Sequence, residues 1–533
     1  MFSLARLVLG LSMVFALLPV QPALSQLTDK TQTNSANAGI NKSFADEANA
    51  SLAGDGRGDV FTPGSSLFII NRDPFRAVRR GRQVFQRKFT RDQGQGPRVN
   101  NSSSGDLNDP AQANLGAGLS DSCTGCHGRP RGSAGLGGDV VTRPDSRNVP
   151  HLFGLGIREM LADEITSDLR ATRSSAISQA ETSGTPVTLS LKSKGIGFGS
   201  IKALPDGTVD TSGVQGVNPD LRVRPFFAQG GAFSMREFFV GAFKDEMGLE
   251  AVDPDLFAAH NGARVVTPAG LVLDGSLDTI KAPPVASASD DSDGDGVTNE
   301  IPTSIVDFME FYLLNYFAPG TYQPDSVRPG LALFHSIGCA SCHIQNLQIK
   351  HDRRVADVQT AFDPVHGIFN RLFASATVLA LSTDDGSGFP PLRPPAGGAF
   401  LVQNIFTDFK RHDLGAAFYE RNYDGSLQQQ FMTRALWGLG SAAALGHDGR
   451  SINFREVILR HGGEAQSVSS KFASLPDSDK SKIEEFLRSL VLFPPDDTAS
   501  NLDPGNPSAA NFPQQGHGSI KLTVLFDDST DPE

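Results

Sequence analysis

Cys123-Thr-Gly-Cys126-His127 and Cys339-Ala-Ser-Cys342-His343 are the two stretches on which the reading of this chain turns. Both have the spacing Cys-x-x-Cys-His. That spacing suits covalent attachment of c-type haem: each thiol adds across one vinyl group, and the adjoining histidine brings its imidazole under the iron as proximal ligand. A Cys₄ zinc site would join the two pairs but would not call for a histidine after each. A thioredoxin-like redox pair expects one motif within a βαβ unit, and two disulfides across such short loops are rarer still. These are the only four cysteines in 533 residues, too few for the disulfide framework of a small secreted domain. The expectation is two haem c groups, held through Cys123, Cys126, Cys339 and Cys342, with His127 and His343 on the iron.

Outward from the motifs, Gly81-Arg-Gln-Val-Phe85 precedes the first and Gly330-Leu-Ala-Leu-Phe334 the second, each on a helix whose apolar face would cover a porphyrin edge. A polar insertion, residues 92–110, delays the first motif. Residues 478–493 form an amphipathic pattern stopped by Pro494-Pro495, the place where a cytochrome c domain puts its closing helix. Helices are also expected over 76–91, 230–248 and 303–317. Alternation over 186–209, broken by Pro205-Asp206-Gly207, predicts a small β-hairpin. The fold class that follows is mainly α: two tandem cytochrome c-like haem domains, 61–320 and 321–495, with long loop insertions. A flexible arm (26–60) would precede them and a tail (496–533), with a strand-like run at 520–526, would follow.

Composition narrows the function classes. The chain has 59 acidic residues against 47 Lys and Arg, a formal charge of −12, which disfavours nucleic acid or anionic lipid as partner. Residues 1–25 carry one positive charge (Arg6), an apolar run from Leu7 to Leu18, and small residues Ala23 and Ser25. This is the layout of a cleavable secretory signal, and an apolar run of about 12 residues falls short of the roughly 20 that span a bilayer. The expected protein is exported, periplasmic or secreted, without a membrane span.

The two halves also repeat outside the cysteines. Leu152-Phe-Gly-Leu-Gly156 recurs as Leu436-Trp-Gly-Leu-Gly440, and SMREFFVGAF (234–243) pairs with NFREVILRHG (453–462), the Arg-Glu in register. In that register His461 stands opposite Ala242. His461 is thereby expected to close the sixth position of the second iron and leave the first iron open; the alternative is a helix-terminal histidine before Gly462-Gly463. A bis-histidine iron is suited to holding an electron, whereas an open iron binds peroxide or dioxygen. His151 is either a sixth ligand or pocket group of the first haem, or a structural histidine beside the porphyrin or its propionates.

Arg147-Asn-Val-Pro-His-Leu-Phe153 followed by FFAQGGAFSMREFFVGAFKDEMG (226–248) resembles the corresponding stretch of bacterial di-haem cytochrome c peroxidases and MauG-type enzymes. TRALWGLGSAAALGHDGRSINFREVILRHGGEA (433–465) is similar to the C-terminal haem domain of that superfamily, most like its di-haem oxidoreductase branch, and rubber-cleaving di-haem oxygenases are also relatives. The resemblance covers roughly 75–495, between unmatched insertions. It implies a reactive N-terminal haem and an electron-storing C-terminal haem. It also implies a distal carboxylate at Glu246, in Glu246-Met247-Gly248, able to move a proton between peroxide oxygens. His461 falls where the peroxidases place a methionine ligand. His412, within Phe406 to Gly415, resembles a branch motif and is expected at a propionate or as a turn cap; His447 matches a motif near the second haem and is expected in a structural role rather than as a ligand. One departure stands out: Ala228 occupies the position of the peroxidases' inter-haem tryptophan, and the chain's one tryptophan is Trp437.

Residues 291–300 read Asp-Ser-Asp-Gly-Asp-Gly-Val-Thr-Asn-Glu. Carboxylates at Asp291, Asp293 and Asp295 around a tight turn, with a carbonyl at Val297 and a carboxylate at Glu300, match the hard oxygen donors Ca²⁺ prefers. Pro302 stands where an EF-hand has its last Glu, and the alternative is a solvated acidic linker. Arg76, Arg79, Arg80, Arg82, Arg87 and Lys88 form either a solvated basic face or a patch for propionates or a partner. The function expected is a peroxidase-like di-haem oxidoreductase fed by an electron-donor protein or small redox partner, with peroxide or dioxygen as ligand. The alternatives are a non-enzymatic di-haem electron carrier and oxygenase-type chemistry on an organic substrate.

Overall fold

Two helix crossings, each passing over a glycine, organise the molecule. The computed structural model describes residues 56–97, 116–127, 138–315 and 325–490, apart from short stretches within them (63, 73, 140–144, 146, 443 and much of 354–397). The expected signal, most of the arm, and the tail with its strand-like run lie outside the described residues.

In the first half, α1 (Ser66–Arg72) and α2 (Pro74–Gln86) lead towards the single helical turn α3 (Cys123–Cys126). A two-residue ladder, β1 (Gly138–Asp139) with β2 (Arg147–Asn148), follows, and then α4 (Leu155–Ser183), a long helix that local patterning does not announce. Its buried stripe (Ile157, Leu161, Ile165, Leu169) continues as Ala176 and Ala180. There the packing partner is a sheet close enough to need only methyl groups, so hydrophobic periodicity fades while the helix runs on. That sheet is an antiparallel meander of three strands, β3 (Val187–Ser193), β4 (Ile196–Ala203) and β5 (Val209–Asp210), not one hairpin. Lys194 and Gly195, at φ 50° and 82°, make the first two-residue turn. Pro205-Asp206-Gly207 makes the second, with Asp206 Oδ1 accepting from Thr208 N at 2.9 Å.

α5 (Met235–Ala242) runs into a π-helical turn, Phe243–Met247; α6 (Pro254–His260) and α7 (Thr303–Asn315) complete this half. α2 lies on α7 through Gly81, where a Cβ would fall 2.2 Å from the Phe308 carbonyl oxygen, and Phe85 meets Tyr312 at 5.6 Å between ring centroids. Among the described basic side chains of this segment, Lys88 is exposed. Arg80, Arg82 and Arg87 are buried rather than forming a solvated face, with Arg80 over the Phe308 ring.

The second half repeats the crossing. α8 (Arg328–Ile337) and α11 (Asp477–Arg488) meet at Gly330, where a Cβ would sit 2.1 Å from the Lys482 carbonyl oxygen, and Phe334 packs on Phe486 at 5.3 Å. Between them lie short antiparallel ladders, Leu347–Ile349 with Phe400–Val402 and Arg411–Asp413 with Gln430–Met432, then α9 (Phe454–Arg460) and α10 (Gln466–Ser474).

The sequence repeat has a physical counterpart. Ser234 caps α5 by accepting from Glu237 N, and Asn453 caps α9 by accepting from Glu456 N. Each glutamate reaches back to the backbone, Glu237 to Phe233 N at 3.3 Å and Glu456 to Ile452 N at 3.2 Å, much as in a capping box. Arg236 binds Glu310 on α7 at 2.8 Å, and Arg455 binds Glu484 on α11, also at 2.8 Å. A small core around Phe334, Phe406, Phe472 and Phe486 belongs to the second half. The larger core of the first half extends across the boundary to include Ile405, Phe409 and Trp437. Among the described residues no helix is long and apolar enough to cross a membrane.

Candidate functional site

His127 follows the turn α3, and its Nδ1–H donates to the Pro150 carbonyl at 2.9 Å. His343, after Cys339–Ser341, does the same to the Phe406 carbonyl at 3.0 Å. In each case one ring nitrogen is fixed by the main chain and the tautomer leaves Nε2 as the ligating atom, the usual way a metal-bound imidazole is oriented. Burial, the largest influence on both, drives their pKa values down to about 4, so both are neutral and able to bind a metal. The thiols of Cys123 and Cys339 are pushed up to about 12, chiefly by burial. Among the described residues no cluster unites the four thiols.

The acceptor at His343 depends on unusual backbone. Asn404, Phe406 and Phe409 have φ of 56°, 54° and 57°, a left-handed conformation that non-glycine residues adopt at a cost and that gathers at functional sites. His461 caps the end of α9, gives its Nδ1–H to Val457 O at 2.7 Å, and stands edge-on to Phe418 at 5.3 Å. Its charge would act directly on His343. At the equivalent point of the first half the helix ends in Ala242 and continues as the π-helical turn. That turn carries half-buried Glu246 and is sewn to the chain entering Cys123: Leu119 N donates to Glu246 O at 2.7 Å, and Gly96 N to Met247 O at 3.1 Å.

His412 is gripped by two carboxylates, Nε2 to Asp408 at 2.8 Å and Nδ1 to Glu464 at 2.7 Å, beside Cys342. Burial would lower its pKa, but the bonds to Asp408, Cys342 and Glu464 outweigh it and raise the value to about 11. The two carboxylates favour its protonated form at the edge of the second motif. His447 stacks on Phe431 at 4.0 Å, and its Nε2 lies 3.0 Å from Glu420, which also takes Arg147 Nε at 3.0 Å.

His151 has both ring nitrogens engaged by main chain. Phe153 N donates to Nδ1 at 3.3 Å, and Nε2–H donates to the Trp437 carbonyl at 2.9 Å. Burial lowers its pKa to about 3, with Arg434 and Arg158 adding to the effect. Among the described residues neither arginine has an acidic partner, and the indole Nε1 of buried Trp437 has no acceptor. Cations without counterions next to the first motif suit a bound group bearing carboxylates, as haem does. The donor set fits: two thiols and one neutral imidazole in each half, with an apolar core against each pair.

Residues 367–490 match the family described as "Di-haem oxidoreductase, putative peroxidase". No curated protein and no solved structure matches the chain. The matched segment contains His412, Trp437, His447 and His461 but neither Cys-x-x-Cys-His motif, so the family and the motifs point to haem independently. The match supports a di-haem peroxidase-type oxidoreductase with haem as its cofactor.

Backbone groups supply what the sequence did not signal. A route of hydrogen bonds and peptides runs from His127 to Pro150, from adjacent His151 to Trp437, from Leu436 N to Ile405 O at 3.0 Å, and from adjacent Phe406 to His343. Main-chain carbonyls carry no signature in a sequence. The neighbouring repeats Leu152–Gly156 and Leu436–Gly440 were the available hint.

The acidic loop is the other cluster. Asp291, Asp293 and Asp295 bring carboxylate oxygens within 4.8 Å of one another, and so, separately, do Glu250, Asp293 and Glu300. Glu250 was not foreseen, because it is remote from the loop in sequence. Burial first, then the neighbouring carboxylates, pushes Glu250 up to about 7 and Glu300 to about 9.

Proposed function

We propose that this protein is an exported di-haem c oxidoreductase of the peroxidase/MauG type, built as two cytochrome c-like units. The first unit is the reaction centre and the second the electron relay. The observation that carries the reading is the asymmetry at the ends of a repeated helix, His461 in one half and Ala242 in the other.

When bound, two haems would supply redox-active iron for electron transfer and for chemistry on a small oxygen ligand. His127 and His343, neutral and held through Nδ1, offer Nε2 as proximal ligands. His461 offers a second Nε2 on the side of His343, while Ala242 offers nothing. Glu246 holds and returns a proton on the open side, the general acid–base role peroxide cleavage needs. Arg158, Arg434 and the His412 cation are placed to offset carboxylates. Trp437, joined to His151, takes the bridging position that Ala228 does not fill. With both nitrogens of His151 engaged by main chain, the electron-carrier alternative would need another group to close its first iron.

Electron paramagnetic resonance of the as-isolated and half-reduced protein tests this. One high-spin and one low-spin haem, with peroxide turnover, is expected. Two low-spin irons in both states without turnover would overturn the reading. Oxygenated organic products formed from dioxygen would redirect it to an oxygenase.

A further inference from the structure

Glu250 and Glu300 are 3% and 5% exposed and lie in no ion pair among the described residues. Each uses one carboxylate oxygen on main chain: Ser292 N donates to Glu250 Oε2 at 3.0 Å, and Glu250 N to Glu300 Oε2 at 2.7 Å. The other oxygen of each, Oε1, is buried without a hydrogen-bond donor. An uncompensated buried carboxylate costs several kcal/mol, and here two converge on a third, Asp293. Asp293 belongs also to the trio with Asp291 and Asp295, so both groups meet at one side chain.

We propose that Glu250, Asp293 and Glu300 bind a calcium ion, with Asp291 and Asp295 completing the donor set, and that this ion clamps the turn carrying Glu246. All the side-chain donors are carboxylate oxygens, the set of a hard cation rather than of zinc, copper or iron. Calcium is held by dedicated sets of protein oxygens, whereas magnesium keeps several waters and takes only one or two carboxylates.

The surrounding backbone is shaped to the carboxylates. Gly94 has φ +90°, and a Cβ there would fall 2.2 Å from the carboxylate of Glu300. Two residues on, Gly96 N donates to Met247 O, and a Cβ on Gly248 would meet Gly96 O at 1.9 Å. On the other side, Ile301 N donates to Glu250 O at 3.1 Å and Val252 N to Ile301 O at 3.0 Å. One ion would therefore tie together the loop at 94–97 on the way to Cys123, the turn ending just before Glu250, and the loop leading into α7. The metal site stands on its own geometry; only its effect on turnover rests on the role given to Glu246.

The test uses the haem-loaded full chain, freed of divalent ions by chelation and titrated with CaCl₂ or MgCl₂. One calcium per chain by elemental analysis and calorimetry is expected, with a rise in melting temperature that MgCl₂ at the same concentration does not produce. Glu250→Gln should weaken calcium binding by at least about tenfold, since affinity follows ligand charge. Asp206→Asn, in the exposed turn of the meander, should leave it unchanged. No calcium uptake by the wild-type chain, or tighter uptake of magnesium, would refute the site. Unchanged affinity in Glu250→Gln would refute the ligand assignment. Calcium uptake without any effect on peroxide turnover would refute the clamp on Glu246 and leave the metal site standing.

Discussion

The Nε2–H of His151 donates to the main-chain carbonyl of Trp437 at 2.9 Å, and this bond joins the carbonyl that orients His127 to the backbone that orients His343. Ala228 carries no side chain of conventional relay chemistry, and on the proposed reading this main-chain bond takes over the connection between the halves. Replacing His151 by Phe keeps an aromatic ring stacked on Phe153, where the centroids are 5.7 Å apart, but removes the donor. Exchange of one electron between the two haems, followed by stopped-flow absorbance after half-reduction, should slow by about tenfold, the scale of a coupling change of about 1.4 kcal/mol. The spectrum of each haem should stay as in the wild type. Unchanged exchange would show that the electron takes another route.

The repeated arginines predict opposite sensitivities. Arg236 is fully buried and touches Asp253 at 2.6 Å, Asp307 at 3.0 Å and Glu310 at 2.8 Å. Arg455, its counterpart, is 39% exposed and pairs with Glu484. Arg236→Leu strands buried carboxylates and should cost about 3–5 kcal/mol, while Arg455→Leu should cost about 0–1 kcal/mol. Urea denaturation of both variants measures this; equal losses would refute the burial argument.

His412 makes the second half sensitive to alkali. Its folded pKa is about 11 against 6.5 unfolded. A raised pKa means that its stabilisation is fully present below pH 6.5 and is lost as pH rises through about 11. Denaturation midpoints should therefore fall across that window. Asp408→Asn removes the strongest of the bonds that raise the value, and should lower the His412 pKa and flatten the profile. A wild-type profile that is flat from pH 6.5 to 11 would contradict the clamp.

Much of this was legible because it is local. The Cys-x-x-Cys-His spacing and the repeated Arg-Glu of α5 and α9 are each set by residues a few positions apart. The three-stranded meander was only half legible, because Lys194-Gly195 makes a turn without the proline-glycine punctuation that marks the next one. What escaped is tertiary. Glu250 joins the acidic loop only once Ala251 pairs with Ile301, and the acceptors at Pro150 and Phe406 are peptide carbonyls common to every residue. The ladders between His343 and Leu436 are too short for alternation to register. Arg80, Arg82 and Arg87 read as a solvated surface because a helix with many charges seldom lies between two others.

The last prediction concerns the helix end that distinguishes the halves. His461 is held through Nδ1 to Val457 and packed against Phe418, so its ring is fixed before any ligand binds. Replacing it by Ala makes the second half resemble the first, where Ala242 occupies the same register. His461→Ala should convert one low-spin haem into a second high-spin haem in the paramagnetic resonance spectrum. Cyanide or another small anion should then bind at two sites rather than one. His461→Met, a ligand of similar reach, should restore the low-spin signal with a shifted reduction potential, because a thioether favours the reduced iron more than imidazole does. Stability should change little, since the side chain is only half-buried at the end of α9. A variant that keeps its low-spin signal would mean that another group closes the second iron, and the asymmetry between His461 and Ala242 would no longer distinguish a relay from a reaction centre.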